Sequence, residues 1–160
     1  MRISNNGPLK LPKQLLAEMI SHALDRDPEE CCGLLLGTGN TVTRLRRIRN
    51  THESRVNRYN MDPLDVIEAE RDADGAGEEF VAIYHSHTYS QGYPSDTDIR
   101  NAVDSGWIDP FYVLVSLVEK TRPVVRAYRI SGDGEVAERF ISVLGAGGYT
   151  SGTTMPNPIK

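Results

Sequence analysis

His85 and His87 are separated by one residue and follow directly on the apolar run Phe80-Val81-Ala82-Ile83. On a strand, side chains two apart leave the same face, so the two imidazoles project together. Two imidazoles and one carboxylate form a recurrent catalytic zinc set that leaves a fourth position open to water. Asp98, closing the stretch Ser95-Asp96-Thr97-Asp98, is the candidate carboxylate. Ser-x-x-Asp ahead of a helix is also the pattern of a capping box, in which the serine oxygen accepts a bond from a free backbone amide. The two readings coexist, because a hydroxyl accepts one hydrogen bond while donating another. Water activation needs a general base as well. The acidic cluster Asp27-Pro28-Glu29-Glu30 lies just before a buried run, although taken alone its acids read as solvated. His22 and His52 have no such company and read as background.

These residues need a scaffold, and a chain of 160 residues is long enough for one domain with a sizeable core. A net charge of -4 carries no basic excess for phosphate neutralisation, which argues against a nucleic-acid or anionic-membrane binder. The basic run Arg44 to Arg49 reads as a strand with one solvated face. No apolar run has the length of a signal peptide or a membrane span. The two cysteines, Cys31 and Cys32, are adjacent, which suits neither a disulfide scaffold nor a Cys-x-x-Cys zinc site. A reducing, cytoplasmic setting is expected.

The spacing predicts a first helix from Leu11 to Asp25, with Pro12 in its first turn and Leu15, Leu16, Met19, Ile20, Ala23 and Leu24 on one face. Cys32 to Gly37 reads as a strand buried on both faces, turning at Gly39-Asn40 into a partner strand over Thr41 to Ile48. Asn50 to Asn60 reads as irregular. Asp62-Pro63 opens a second helix that runs to about Ala73. Glu79 to His87 is the strand carrying the histidines, and Ser95 to about Asp104 is a short helix. Strands follow over Phe111 to Val118, Pro123 to Ile130 and Val136 to Val143. The sum is an α+β (α/β-like) domain over 1–143, a mixed, mostly antiparallel sheet with two long helices and one short one. Residues 144–160 read as a flexible tail. Its Gly147-Gly148 is taken as linker-like rather than as an autoinhibitory peptide.

Glu30-Cys31-Cys32-Gly33, then His85-Ser86-His87, seven residues, and Ser95-Asp96-Thr97-Asp98 resemble the JAMM motif of the MPN metalloproteases. The wording Tyr84-His85-Ser86-His87-Thr88, Tyr93-Pro94-Ser95, Tyr112 to Ser116 and Tyr128-Arg129-Ile130 is similar to a bacterial subgroup of stand-alone peptidases. Members of that subgroup act on ubiquitin-like sulfur-carrier proteins. Some release cysteine from the carrier's C-terminal Gly-Gly in cysteine biosynthesis, and others trim an extension to expose it. The resemblance implies an MPN (JAB1-type) fold, His85, His87 and Asp98 as zinc ligands, Glu30 as general base and Ser95 as oxyanion donor.

Three alternatives compete with that reading. A nucleoside-type deaminase needs His-x-Glu and Pro-Cys-x-x-Cys, and the chain has neither. A metal-free MPN scaffold is expected to lack ligands that this chain has. An isopeptidase acting on lysine-linked ubiquitin-like proteins uses the same residues and stays open, as does assembly into a homodimer. For the Gly-Gly tail, the segment Thr51 to Asp62 is the expected sheet edge, with an ordinary surface loop as the equal alternative.

Overall fold

Leu9 and Leu11 are buried while Lys10 between them is exposed, and this alternation makes a strand, β1 (Leu9–Pro12). The first helix, α1 (Lys13–Arg26), therefore starts two residues later than its apolar spacing predicted, and Pro12 closes the strand. The computed structural model describes residues 7–145 and the backbone of 150–154. The other elements are β2 (Cys32–Thr38), β3 (Thr41–Ile48), α2 (Pro63–Gly75), β4 (Glu79–His87), α3 (Asp96–Ser105), β5 (Phe111–Ser116), β6 (Val124–Ile130), β7 (Val136–Arg139), β8 (Ile141–Leu144) and β9 (Thr150–Thr154).

Among the described residues, all nine strands join one sheet in the order β7-β6-β5-β4-β2-β3-β1-β8-β9. Five of its pairings are antiparallel and three parallel, the mixed and mostly antiparallel sheet expected. The single strand predicted over Val136 to Val143 is instead divided at Phe140. β7 pairs with β6, and β8 pairs with β1 near the opposite end. Only Phe140 separates them, so the sheet curls until these two strands meet end to end. The Leu9 N–H donates to the Phe140 carbonyl at 2.9 Å at that junction. β8 carries the sheet one residue past the expected domain limit, and residues 150–154 of the expected tail pair antiparallel with it. Gly147-Gly148 and the rest of the tail lie outside the described residues.

The sheet separates two apolar clusters. One face packs Leu35, Val81, Tyr84, Val113 and Val115 beneath Leu16, Met19 and Ala23 of α1. The other packs Leu34, Leu36, Ile83 and Tyr112 beneath Ala69 and Ala73 of α2 and Ala102 of α3. Ile83 thus fixes the face from which His85 and His87 project, since they follow it at intervals of two. It is the face of α3.

On the α1 side, Tyr84 lies across Gly33, its register partner on β2. A Cβ at Gly33 would sit 2.2 Å from the Tyr84 ring. The Tyr84 hydroxyl bonds to Nδ1 of His22 at 2.7 Å. Burial pushes His22 down to about 4 and keeps the phenol protonated, so the phenol donates to a neutral imidazole. His22 is a core polar pair, as its isolation in the sequence suggested. Gly33→Ala is expected to displace the Tyr84 ring and break this bond, costing about 2–4 kcal/mol. Chemical denaturation measures it, and a loss below about 0.5 kcal/mol contradicts the packing account.

Candidate metal centre

β4 lies between β2 and β5, with His85 opposite Cys32 and Leu114, and His87 opposite Ser116. Both histidines are consequently buried, at 1% and 4% exposure. A loop then returns the chain over the strand end. It is held by Ser116 Oγ–H donating to the Ser90 carbonyl at 2.6 Å and by the Tyr128 hydroxyl donating to the Gly92 carbonyl. Ser95 ends the loop and caps α3. Its Oγ accepts from the Asp98 N–H at 3.0 Å, while Asp98 Oδ2 accepts from the Ser95 N–H at 2.9 Å. The capping-box reading is therefore correct in geometry. The same box aims Asp98 at the histidines, because its Oδ2 lies 3.2 Å from His85 Nε2 and 3.0 Å from His87 Nε2.

The two Nε2 atoms are 3.2 Å apart, so three ligand-type atoms converge on one point. Donors about 2.0–2.2 Å from a tetrahedral zinc are separated by roughly 3.3–3.5 Å, so the set fits an ion with little adjustment. The tautomer of His87 fits as well. Its Nδ1 is 2.8 Å from the Gln91 carbonyl, which only accepts, so Nδ1 carries a proton and Nε2 is the atom a metal would take. In the metal-free protein burial lowers the His87 pKa, but Asp98 and the Gln91 carbonyl outweigh it and raise it. Burial lowers the pKa of His85, so its imidazole is favoured in the neutral, ligating form. For Asp98, burial alone would raise the carboxyl, but the His85 and His87 rings and the Ser95 amide outweigh it and hold it well below the usual carboxylate range.

Glu30 sits at the end of the chain segment that enters β2, with 7% exposure. Ser86, whose side chain leaves β4 on the face opposite the histidines, ties that segment to the metal strand. The Cys31 N–H donates to Ser86 Oγ at 2.8 Å, and the Ser86 N–H donates to the Cys31 carbonyl at 3.0 Å. Burial raises the Glu30 carboxyl to about 8; Asp98 reinforces the shift, while His87 and Arg58 oppose it. Glu29 is instead bound outside by Arg26 and Arg55. The neighbouring thiols are inert, since burial pushes Cys31 up to about 11 and Cys32 higher.

The segment Thr51 to Asp62 adds no strand to the nine-stranded sheet, whose outer strands are β7 and β9. A single bridge between Asn50 and Met61 closes it into a loop beside the centre. Its contacts were missed in the sequence. Tyr59 stacks on His85 at 4.3 Å between ring centroids. The Thr88 hydroxyl donates to the Val56 carbonyl at 3.2 Å. Asn50 is the hub: Nδ2 donates to the Glu30 and Arg58 carbonyls, and Oδ1 accepts from the His52 and Asn60 N–H groups. His52 caps a turn through the Ser54 N–H and takes no part in the centre. A lone asparagine and tyrosine in a polar run carry no spacing signal. Only their fold-distant partners distinguish them.

Residues 12–131 match the family described as prokaryotic homologs of the JAB domain. The chain is 36% identical over 137 residues to the CysO-cysteine peptidase of Mycobacterium tuberculosis, covering 85% of this chain and 91% of that protein. It is 34% identical over 105 residues to a probable TtuB-protein conjugate cleaving protease of Thermus thermophilus, covering 66% and 68%. A solved structure from Desulfitobacterium hafniense is similar with a TM-score of 0.73 at 32% identity, over 85% of this chain and 92% of that one. A JAB1/MPN domain protein from Archaeoglobus fulgidus gives a TM-score of 0.52 at 17% identity, over 84% and 97%, a likeness of fold.

Proposed function

Because the chain belongs to the JAB-domain (MPN) family and is a peptidase of that family, we propose that it hydrolyses the bond after the C-terminal Gly-Gly of a small ubiquitin-like sulfur-carrier protein, releasing cysteine or a short extension. The observation that carries the reading is the convergence of His85, His87 and Asp98 beside a buried carboxyl, Glu30, of raised pKa. The substrate class is supported by the likeness to the CysO-cysteine peptidase of Mycobacterium tuberculosis. A cavity of about 470 Å³ adjoins Asp98 between Tyr59, Met61, Asn101, Trp107 and Tyr112, which suits a narrow extended tail.

His85, His87 and Asp98 hold zinc in this reading. When bound, the metal supplies positive charge that acidifies water and polarises the scissile carbonyl. Glu30 accepts the proton of the attacking water and returns it to the leaving amine, and the burial that disfavours its ionised form favours holding that proton in between. Ser95 Oγ accepts from the Asp98 N–H, which leaves its own proton free to donate to the oxyanion. Ser95→Ala is expected to lower turnover about 10²–10³-fold and to cost about 1 kcal/mol of stability. Steady-state kinetics beside a denaturation curve separate these effects, and unchanged turnover would leave Ser95 as a cap alone.

A second reading is cleavage of lysine-linked ubiquitin-like conjugates, and the likeness to a probable TtuB-protein conjugate cleaving protease of Thermus thermophilus supports conjugate cleavage. Immobilised Glu30→Gln protein exposed to native cell extract distinguishes the two. Retention of a small Gly-Gly-ending carrier supports the first, and a broad set of conjugates supports the second. Two free buried cysteines suit a reducing cytoplasm, and no helix among the described residues is long and apolar enough to cross a membrane.

A further inference from the structure

One arginine bears on the identity of the leaving group. Arg26, Arg47, Arg49 and Arg55, on the side of β2 and β3 where Glu30 enters, are each paired with a carboxylate. Arg26 and Arg55 share Glu29, Arg47 meets Asp25 at 3.1 Å, and Arg49 meets Asp62 at 2.9 Å. Arg58 differs. Its Nη1 donates to the Asn57 carbonyl at 2.8 Å, and among the described residues no carboxylate pairs with its guanidinium.

The backbone of Arg58 is nonetheless fixed at the centre. One nitrogen, Asn50 Nδ2, donates at 3.0 Å to the carbonyls of both Glu30 and Arg58, which places those two oxygens within about 6 Å of each other. The next residue, Tyr59, is stacked on the metal-ligand candidate His85. The positive charge of Arg58 also acts on the Glu30 carboxyl. An exposed guanidinium is thus carried on backbone anchored beside the group that protonates the departing amine.

Hydrolysis adds the water oxygen to the glycine carbonyl carbon and breaks the C–N bond, and the departing nitrogen takes up the proton. In a free α-amino acid the carboxylate carbon lies only about 2.5 Å from that nitrogen. A cation near Glu30 is therefore within reach of it. In a longer peptide extension the same carbon is an amide. In a lysine conjugate the nearest backbone carboxyl carbon is six bonds from Nζ and is itself in peptide linkage.

Resting on the peptidase reading above, we propose that Arg58 is the specificity residue for the leaving group. Its guanidinium binds the free α-carboxylate of a single C-terminal amino acid, so that the enzyme releases one residue in preference to a peptide or a lysine conjugate. A planar guanidinium meets a carboxylate through two parallel N–H···O bonds, which suits this task better than a lysine would.

The test uses semisynthetic CysO ending in Gly-Gly-Cys, as the C-terminal carboxylate and as the carboxamide, with zinc-loaded enzyme. The wild type is expected to favour the acid in kcat/KM by about 10–100-fold, the worth of a hydrogen-bonded charge. Arg58→Gln is expected to bring the acid-to-amide ratio close to one, and Arg58→Lys to keep part of it. A wild-type ratio near one overturns the proposal, whatever the variants do. So does an Arg58→Gln ratio equal to the wild type's, or a lysine-linked CysO conjugate cleaved as fast as the acid. Each of these leaves the peptidase reading standing. Cleavage of none of the three substrates by the wild type removes that reading and this proposal together.

Discussion

Glu30→Gln is expected to lower kcat by about 10³-fold or more, at the upper end of general acid–base contributions, because glutamine keeps the shape and removes the proton acceptor. The same substitution is expected to stabilise the metal-free protein. Burial raises the Glu30 carboxyl to about 8 from an ordinary value of 4.5, so its ionised form is disfavoured in the fold. A carboxyl with a raised folded pKa costs the native state nothing below about 4.5, and the cost grows as pH rises towards 8. At roughly 1.4 kcal/mol per unit, the full effect is on the order of several kcal/mol at its upper limit. Melting curves of chelator-treated wild type and variant should therefore nearly coincide at acid pH and separate at pH 8, with the variant melting higher. Coincidence at both ends would mean that Glu30 is solvated in the folded chain. A buried proton acceptor whose ionised form is disfavoured is a stability cost accepted for chemistry.

Asp98 carries the second large effect, because one carboxylate oxygen takes part in two structures at once. Oδ2 closes the capping box on the Ser95 N–H and meets both Nε2 atoms. Asp98→Ala is expected to weaken zinc binding by more than about 10²-fold, beyond the loss typical of a residue that merely orients a ligand. It is also expected to cost about 1 kcal/mol from the helix terminus. Asp98→Asn separates the two, since its amide oxygen still accepts from the Ser95 N–H but carries no charge for the metal. Its melting temperature should stay close to that of the chelated alanine variant or above it, while zinc measured by elemental analysis after dialysis falls well below one per chain. Stoichiometric zinc in the asparagine variant would contradict the assignment of Asp98 as a ligand.

Much of this was legible from spacing. His85 and His87 stand two apart after a buried run, and Ser95 and Asp98 stand three apart at a helix start. Local periodicity and capping rules translate both into geometry. The helices and most strands were legible for the same reason. β1 was not, because Leu9-Lys10-Leu11 is too short to signal a strand without its parallel partner β8. The break at Phe140 was equally silent, since β7 and β8 read as one alternating run and only the curl of the sheet divides them. Glu30 could be placed only through a motif, because its burial depends on Ser86, Asn50 and Arg55, which lie 20 to 56 residues away in sequence. Tyr59 comes to the centre through its stacking on His85, far along the chain, and the Arg58 backbone is held by Asn50.

The central claim is zinc-dependent hydrolysis after a terminal Gly-Gly, and intact-mass spectrometry of the carrier tests it most directly. Zinc-loaded protein incubated with CysO ending in Gly-Gly-Cys should shorten the carrier by one cysteine residue and leave Gly-Gly as its terminus. A chelator should stop the reaction, added zinc should restore it, and Glu30→Gln protein should leave the mass unchanged over the same interval. An unshortened carrier in the presence of fully zinc-loaded wild type, or shortening that persists in excess chelator, would contradict the account.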